Sequence, residues 1–184
     1  MAEEPQTALL LVDIQNDFCT GGSLAVPESE EIFPVVNAAI SEAQDKGWPI
    51  IASRDWHPVD HCSFERRGGP WPVHCVQDSH GAAFHPQMEL PVDAIRVSKG
   101  TAFEQDAYSA FEGTQLEQFL SRRGVKRLKI AGLALDVCVQ ATARDALEAG
   151  FEVDLLADAT RAVDDSQATQ VLSTLSSAGA RIIG

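Results

Sequence analysis

Apolar and polar positions along the chain switch between two periods. Residues 7–13, TALLLVD, form a continuous apolar run that ends in an acid, the pattern of a strand buried on both faces. Residues 30–47, EEIFPVVNAAISEAQDKG, space Ile32, Val35, Val36, Ala39, Ile40 and Ala43 as a helix does, then stop on Lys46 and Gly47. WPIIASRD (48–55), AIRVSKG (94–100), KRLKIAGL (126–133), FEVDLLAD (151–158) and ARIIG (180–184) read as further strands. Helices are predicted over 114–124, with Leu116, Phe119 and Leu120 on one side, over 136–150, and near 165–178. This alternation predicts an α/β fold: three layers, doubly wound, with a mostly parallel six-stranded sheet covered by helices on both faces. One domain spanning 1–184 is expected. Residues 56–93 break the pattern, being rich in Gly, Pro and His and poor in periodicity. A connection of that length points to function rather than to passive linkage.

Open parallel sheets bind ligands at the carboxyl ends of their strands. Asp13, Asp55, Lys99 and the pair Asp136/Cys138 each fall at or just past such an end. One polar strand end means little. Four that include a lysine and a cysteine suggest a shared site.

Bulk properties narrow the classes. The 184 residues are 45% hydrophobic, enough for one sizeable core. The net charge of −13 argues against a nucleic-acid partner. No apolar run nears the roughly 20 residues of a membrane span. The opening MAEEPQ has no basic segment ahead of its apolar run, so a cytoplasmic protein is expected. The four cysteines, Cys19, Cys62, Cys75 and Cys138, include no CxxC pair, which speaks against a cysteine-rich zinc site or a disulfide scaffold.

Cys138 is expected about one turn into a helix, where free N–H groups favour a thiolate and can hold an oxyanion. Lys99 nearby would lower the thiol pKa, and Asp13 could accept its proton. On spacing alone the opposite reading prevails, because buried cysteines are usually inert packing. Three of the five histidines lie within 57–74. Asp55 and His57, at i and i+2, share a side of an extended segment, and His74 follows after a loop. One Asp and two His suit a divalent ion with open positions for water and substrate. His80 and His85 read as ordinary loop residues.

The segments LLLVDIQNDFCTGGSLAV, SRDWHP, WPVHCV, SKGTAFEQDAYSAFEGT and GLALDVCVQATARDAL run in order from about residue 7 to the C-terminus. Together they resemble the nicotinamidases of the isochorismatase-like cysteine hydrolase superfamily. The resemblance implies a triad of Asp13, Lys99 and Cys138. It implies a cis peptide between Leu133 and Ala134, with the Ala134 and Cys138 amides as an oxyanion hole. It makes Asp55, His57 and His74 the metal ligands and 56–93 the metal-site insertion loop. His61 matches a position that is a ligand in some members only, and Glu65 is an alternative fourth contact. Zinc is the first expectation for the ion, with iron and manganese also fitting. Phe18 and Trp71 match positions that sandwich the substrate ring; Tyr108 reads as a more distant neighbour of the pocket. The implied substrates are nicotinamide and pyrazinamide-like amides. Val137 and Leu135 differ from residues seen in some relatives, which leaves the fine shape of the pocket open. Two rivals stand beside this reading: hydrolysis of another small amide or carbamoyl compound, and a non-catalytic metal or redox sensor using Cys62, Cys75 and the histidines. A homo-oligomer is compatible with the sequence, but no interface is legible.

Overall fold

The computed structural model describes residues 6–184. Six strands, β1 (Thr7–Val12), β2 (Ile50–Asp55), β3 (Ile95–Lys99), β4 (Arg127–Leu133), β5 (Glu152–Arg161) and β6 (Arg181–Ile183), form one sheet in the order β3-β2-β1-β4-β5-β6. Every neighbouring pair is parallel.

Alternation along the strands explains the layers. On β1, Ala8, Leu10 and Val12 enter one core together with Leu120, Ala143, Ala146, Val171 and Leu175. These come from α2 (Leu116–Arg122), α3 (Gln140–Glu148) and α4 (Ala168–Ser177). Leu9 and Leu11 face the opposite way, toward Phe33, Val36, Ala39, Ile40 and Ala43 of α1 (Phe33–Lys46). A strand so placed must be apolar at every position, and all six residues of β1 are buried.

Element ends differ slightly from the sequence reading. The helix expected from residue 30 begins as a 3-10 turn over Ser29–Ile32 and becomes α1 at Phe33. Pro34 occupies its first turn, where a missing N–H costs nothing. Gly47, at φ 69°, caps its end as expected. The helix expected from residue 136 opens as a π-turn over Leu135–Val139 before α3 starts.

The chain winds outward from β1 to β3, returns beside β1 as β4, then winds outward the other way. The direction reverses between β1 and β4, the place where such sheets open a crevice at their carboxyl ends. Gly132 lets β4 close on β1 there. Its φ is 135°, and a Cβ on it would stand 2.1 Å from the Val12 carbonyl oxygen. No described helix is long and apolar enough to cross a membrane.

Candidate active site

Asp13 follows the last residue of β1 in a left-handed conformation, φ 51°. Short polar side chains tolerate that region better than most. Its N–H donates to the Ser53 carbonyl at 3.1 Å, and its Oδ1 accepts from Ser53 Oγ at 2.8 Å. Oδ2 is buried, lies 2.8 Å from Lys99 Nζ, and receives no well-directed hydrogen bond. Lys99 ends β3 opposite Asp55, the last residue of β2. Its ammonium donates to Asp55 Oδ1 at 2.5 Å, to the Ala107 carbonyl at 3.4 Å and toward Cys138 Sγ at 3.6 Å. Four strand ends thus converge on one ammonium group.

The charges of this cluster set one another. Burial opposes ionisation of Lys99, yet the two carboxylates hold its pKa well above the usual lysine value. Burial opposes ionisation of Asp55 too, but Lys99 and His57 hold its carboxyl well below the usual range. Asp13, wholly buried, is raised by desolvation in spite of Lys99. Burial pushes the Cys138 thiol well up, and Asp13 and Asp55 add to this against Lys99. Lys99 thus pulls the thiol down, as the sequence reading expected, while burial works the other way.

The sulfur is held by an unusual turn. The Leu133–Ala134 peptide is cis, as the resemblance implied. The Ala134 carbonyl accepts from both Val137 N–H and Val139 N–H at 3.1 Å, bracketing Cys138. Asp136 does not join the cluster. Its carboxylate turns to the loop after β5 and accepts from the N–H groups of Val163 (2.9 Å) and Asp164 (3.1 Å).

His57 and His74 meet because their segments bridge: His57 N–H donates to the Cys75 carbonyl and Gln77 N–H to the His57 carbonyl, at 2.9 and 2.8 Å. Each ring donates its Nδ1–H to a backbone carbonyl, Gly100 at 2.9 Å for His57 and Pro72 at 2.8 Å for His74. That orients both rings so that their Nε2 atoms face the site. Both point at Asp55 Oδ2, 3.6 Å from His57 and 3.8 Å from His74. One ligand atom from each of the three residues falls within 4.8 Å of the others. Two imidazole nitrogens aimed at one carboxylate oxygen are a donor set that fits a divalent cation. Gly100 is required for this geometry: at φ 65°, a Cβ on it would lie 2.6 Å from His57 Cε1.

His61 stacks on His57 at 4.1 Å between ring centroids. Its Nε2 donates to the Gln105 carbonyl at 3.0 Å and its Nδ1 accepts from Ser63 Oγ at 2.7 Å, so both nitrogens are engaged. Glu65 is exposed on a short 3-10 turn. Cys19, Cys62 and Cys75 are free thiols; Cys19 and Cys75 are fully buried, and burial pushes Cys19 up to about 11 and Cys75 higher still.

A cavity of about 240 Å³ opens onto this array. Its lining mixes polar groups from Ser23, Asp55, His74, Asp106, Tyr108 and Cys138 with Phe18, Trp71 and Ala134 and with the aliphatic Leu24, Ala25, Val26, Val137 and Val163. Tyr108, read from the sequence as a more distant neighbour, belongs to the lining itself, its hydroxyl accepting from Trp71 Nε1 at 3.1 Å. One contribution was not read from the sequence. Gln15 is fully buried and grips the Asp55 backbone from both sides: its Nε2 donates to the Asp55 carbonyl (2.8 Å) and its Oε1 accepts from Asp55 N–H (2.9 Å).

The isochorismatase domain model matches residues 7–184. The chain belongs to the isochorismatase family. Within that family, the nicotinamidase of Escherichia coli (strain K12) is 38% identical over 97% of this chain and 94% of its own. The pyrazinamidase of Pyrococcus horikoshii, solved in complex with zinc, superposes with a TM-score of 0.94 at 49% identity, covering 97% of this chain and 99% of the other. PnC1 from L. infantum, solved in complex with nicotinate, gives a TM-score of 0.91 at 38% identity over 97% of this chain and 92% of the other. These family members share the whole fold, not a fragment of it.

Proposed function

We propose that the protein is a metal-dependent cysteine amidohydrolase that converts nicotinamide and water to nicotinate and ammonia, and that also accepts pyrazinamide-like amides. One observation carries the reading. One cavity is lined by Cys138, Asp55 and His74; Lys99 reaches both the Cys138 sulfur and Asp55, and Asp55 also belongs to the ligand set with His57 and His74. The relatives that act on nicotinamide or pyrazinamide support the choice of substrate.

Asp55, His57 and His74 would hold the ion, with zinc the first choice. When bound, the ion supplies a Lewis-acidic anchor for a heteroaromatic ring nitrogen or for water. The remaining work falls to this chain's residues. Phe18 and Trp71 hold the ring and fix the carboxamide over Cys138. Asp13 Oδ2 takes the thiol proton as sulfur adds to the carbonyl carbon. Lys99, 3.6 Å from the sulfur, balances the negative charge shared by sulfur and carboxylates. The Ala134 and Cys138 amides receive the tetrahedral oxyanion. Asp13 returns the proton to the departing nitrogen, and ammonia leaves a thioester on Cys138. Asp13 then takes a proton from water as it attacks. The C–S bond breaks, nicotinate is released, and the thiol is restored.

Ammonia release from nicotinamide by the purified protein, with and without a chelator, tests the reading. Turnover that disappears with chelation and returns with zinc is expected. No turnover with zinc present would refute it. The tertiary fold, the ligand set and the whole triad all favour this over a non-catalytic sensor, which has no use for a buried lysine shared between two carboxylates.

A further inference from the structure

The mechanism leaves Asp136 without a role, although it sits two residues before the nucleophile in the same π-turn. Its side chain is only partly buried, yet both carboxylate oxygens are spent on one loop. Oδ1 accepts from Val163 N–H at 2.9 Å and Oδ2 from Asp164 N–H at 3.1 Å. The loop follows the C-terminal end of β5, and Asp164 caps the next turn by accepting from Ser166 N–H. Val163 is 46% exposed, but it also lines the cavity, together with Cys138 and Val137 of the turn itself. An exposed valine on a loop has little packing to hold it. The Asp136 carboxylate is what ties its backbone to the segment that carries the sulfur.

We propose that Asp136 is a positioning residue and Val163 a specificity-determining residue: a latch from the nucleophile turn sets the aliphatic wall of the substrate cavity. The inference rests on the amidohydrolase reading above. The Val163 and Val137 side chains are apolar members of a lining whose polar groups come from Ser23, Asp55, His74, Asp106, Tyr108 and Cys138. A heteroaromatic carboxamide therefore binds with an unsubstituted ring C–H against the two valines. A hydroxyl or carboxylate at that ring position is rejected, because it would lose water and gain no partner from either valine side chain. The latch matters because an unheld Val163 would let water reach that ring position. Charge-assisted bonds to two successive N–H groups hold the loop more firmly than a neutral side chain would.

The test compares Asp136→Ala, Asp136→Asn, Val163→Ala and the double variant Asp136→Ala/Val163→Ala in ammonia release from nicotinamide. Each single alanine variant is expected to raise KM by roughly five- to tenfold, with kcat within about threefold, since ground-state ring contacts are lost while the triad is untouched. The double variant should be no worse than the poorer single one, because both remove the same wall. Asp136→Asn keeps one acceptor and should fall between, which keeps the test open if the alanine variant fails to fold. Val163→Ser should narrow the gap in kcat/KM between nicotinamide and a ring-hydroxylated nicotinamide. Unchanged KM in the Asp136 variants, additive losses in the double variant, or a loss confined to kcat would overturn the latch. Wild-type protein inactive on nicotinamide with zinc would instead overturn the amidohydrolase reading, so the two failures are distinct.

Discussion

Asp55 stands 2.5 Å from Lys99 Nζ through Oδ1, while its Oδ2 faces the ligand nitrogens of His57 and His74. One carboxylate therefore belongs to both halves of the site. The ion pair is wholly buried, where a charge deprived of its partner is costly.

Removing that carboxylate should damage both halves. Asp55→Ala is expected to purify with little or no metal and to lose at least about a hundredfold in kcat/KM. It should also change the rate at which iodoacetamide labels Cys138, because Lys99 is left with one carboxylate. Metal analysis and labelling by mass spectrometry check this. A metal-free variant with wild-type Cys138 labelling would show that the two halves are independent.

Gly100 should matter for the metal although it carries no ligand. Gly100→Ala would push its Cβ to 2.6 Å from His57 Cε1 and strain a backbone at φ 65°. His57 must then rotate away from the Gly100 carbonyl that orients its ring. Zinc affinity is expected to fall about 10- to 100-fold, measurable by competition with a chromophoric chelator, with the fold retained by circular dichroism. Unchanged affinity would contradict the assigned role of the His57 Nδ1–H bond.

The acid side of the pH profile should report Asp13. Burial raises its pKa above 3.8 against the opposing pull of Lys99. Protonated Asp13 cannot accept the thiol proton, so activity is lost as pH falls through this raised value. The acid limb of kcat/KM should therefore lie above the ordinary aspartate range, and it is a property of the coupled cluster. A limb at or below pH 3.8 would argue against Asp13 as the base.

The three cysteines outside the triad should separate by reactivity. Cys19, pushed up to about 11, and Cys75, pushed higher, are buried thiols. They should stay unlabelled by iodoacetamide at pH 8 in the native protein, while the half-buried Cys62 reacts. Peptide mapping reads this directly. Fast labelling of Cys75 would show that the 56–93 segment opens.

Much of this site was legible because apolar strand runs end abruptly in chemistry-bearing residues. Asp13, Asp55 and Lys99 close β1, β2 and β3, so strand periodicity alone placed them on one edge. His74 needed the motif, since a bridge between distant loop segments brings it to His57. Asp136 looked like a fourth polar strand end, yet its direction depends on a loop some 27 residues away in sequence, which no local pattern encodes. Gln15 carries no local signal of its role, because the Asp55 and Ala82 carbonyls that take its Nε2–H groups come from distant segments. The burial that opposes ionisation of Cys138 is likewise a property of the folded site that no local pattern encodes.

The central claim is that Cys138 is the nucleophile of a hydrolysis supported by a separate metal set. Ammonia release from nicotinamide by Cys138→Ala, measured beside its zinc content, tests this most directly. The account predicts zinc at the wild-type level and turnover reduced by at least about a thousandfold. Near-normal ammonia release from a zinc-loaded Cys138→Ala protein would contradict it.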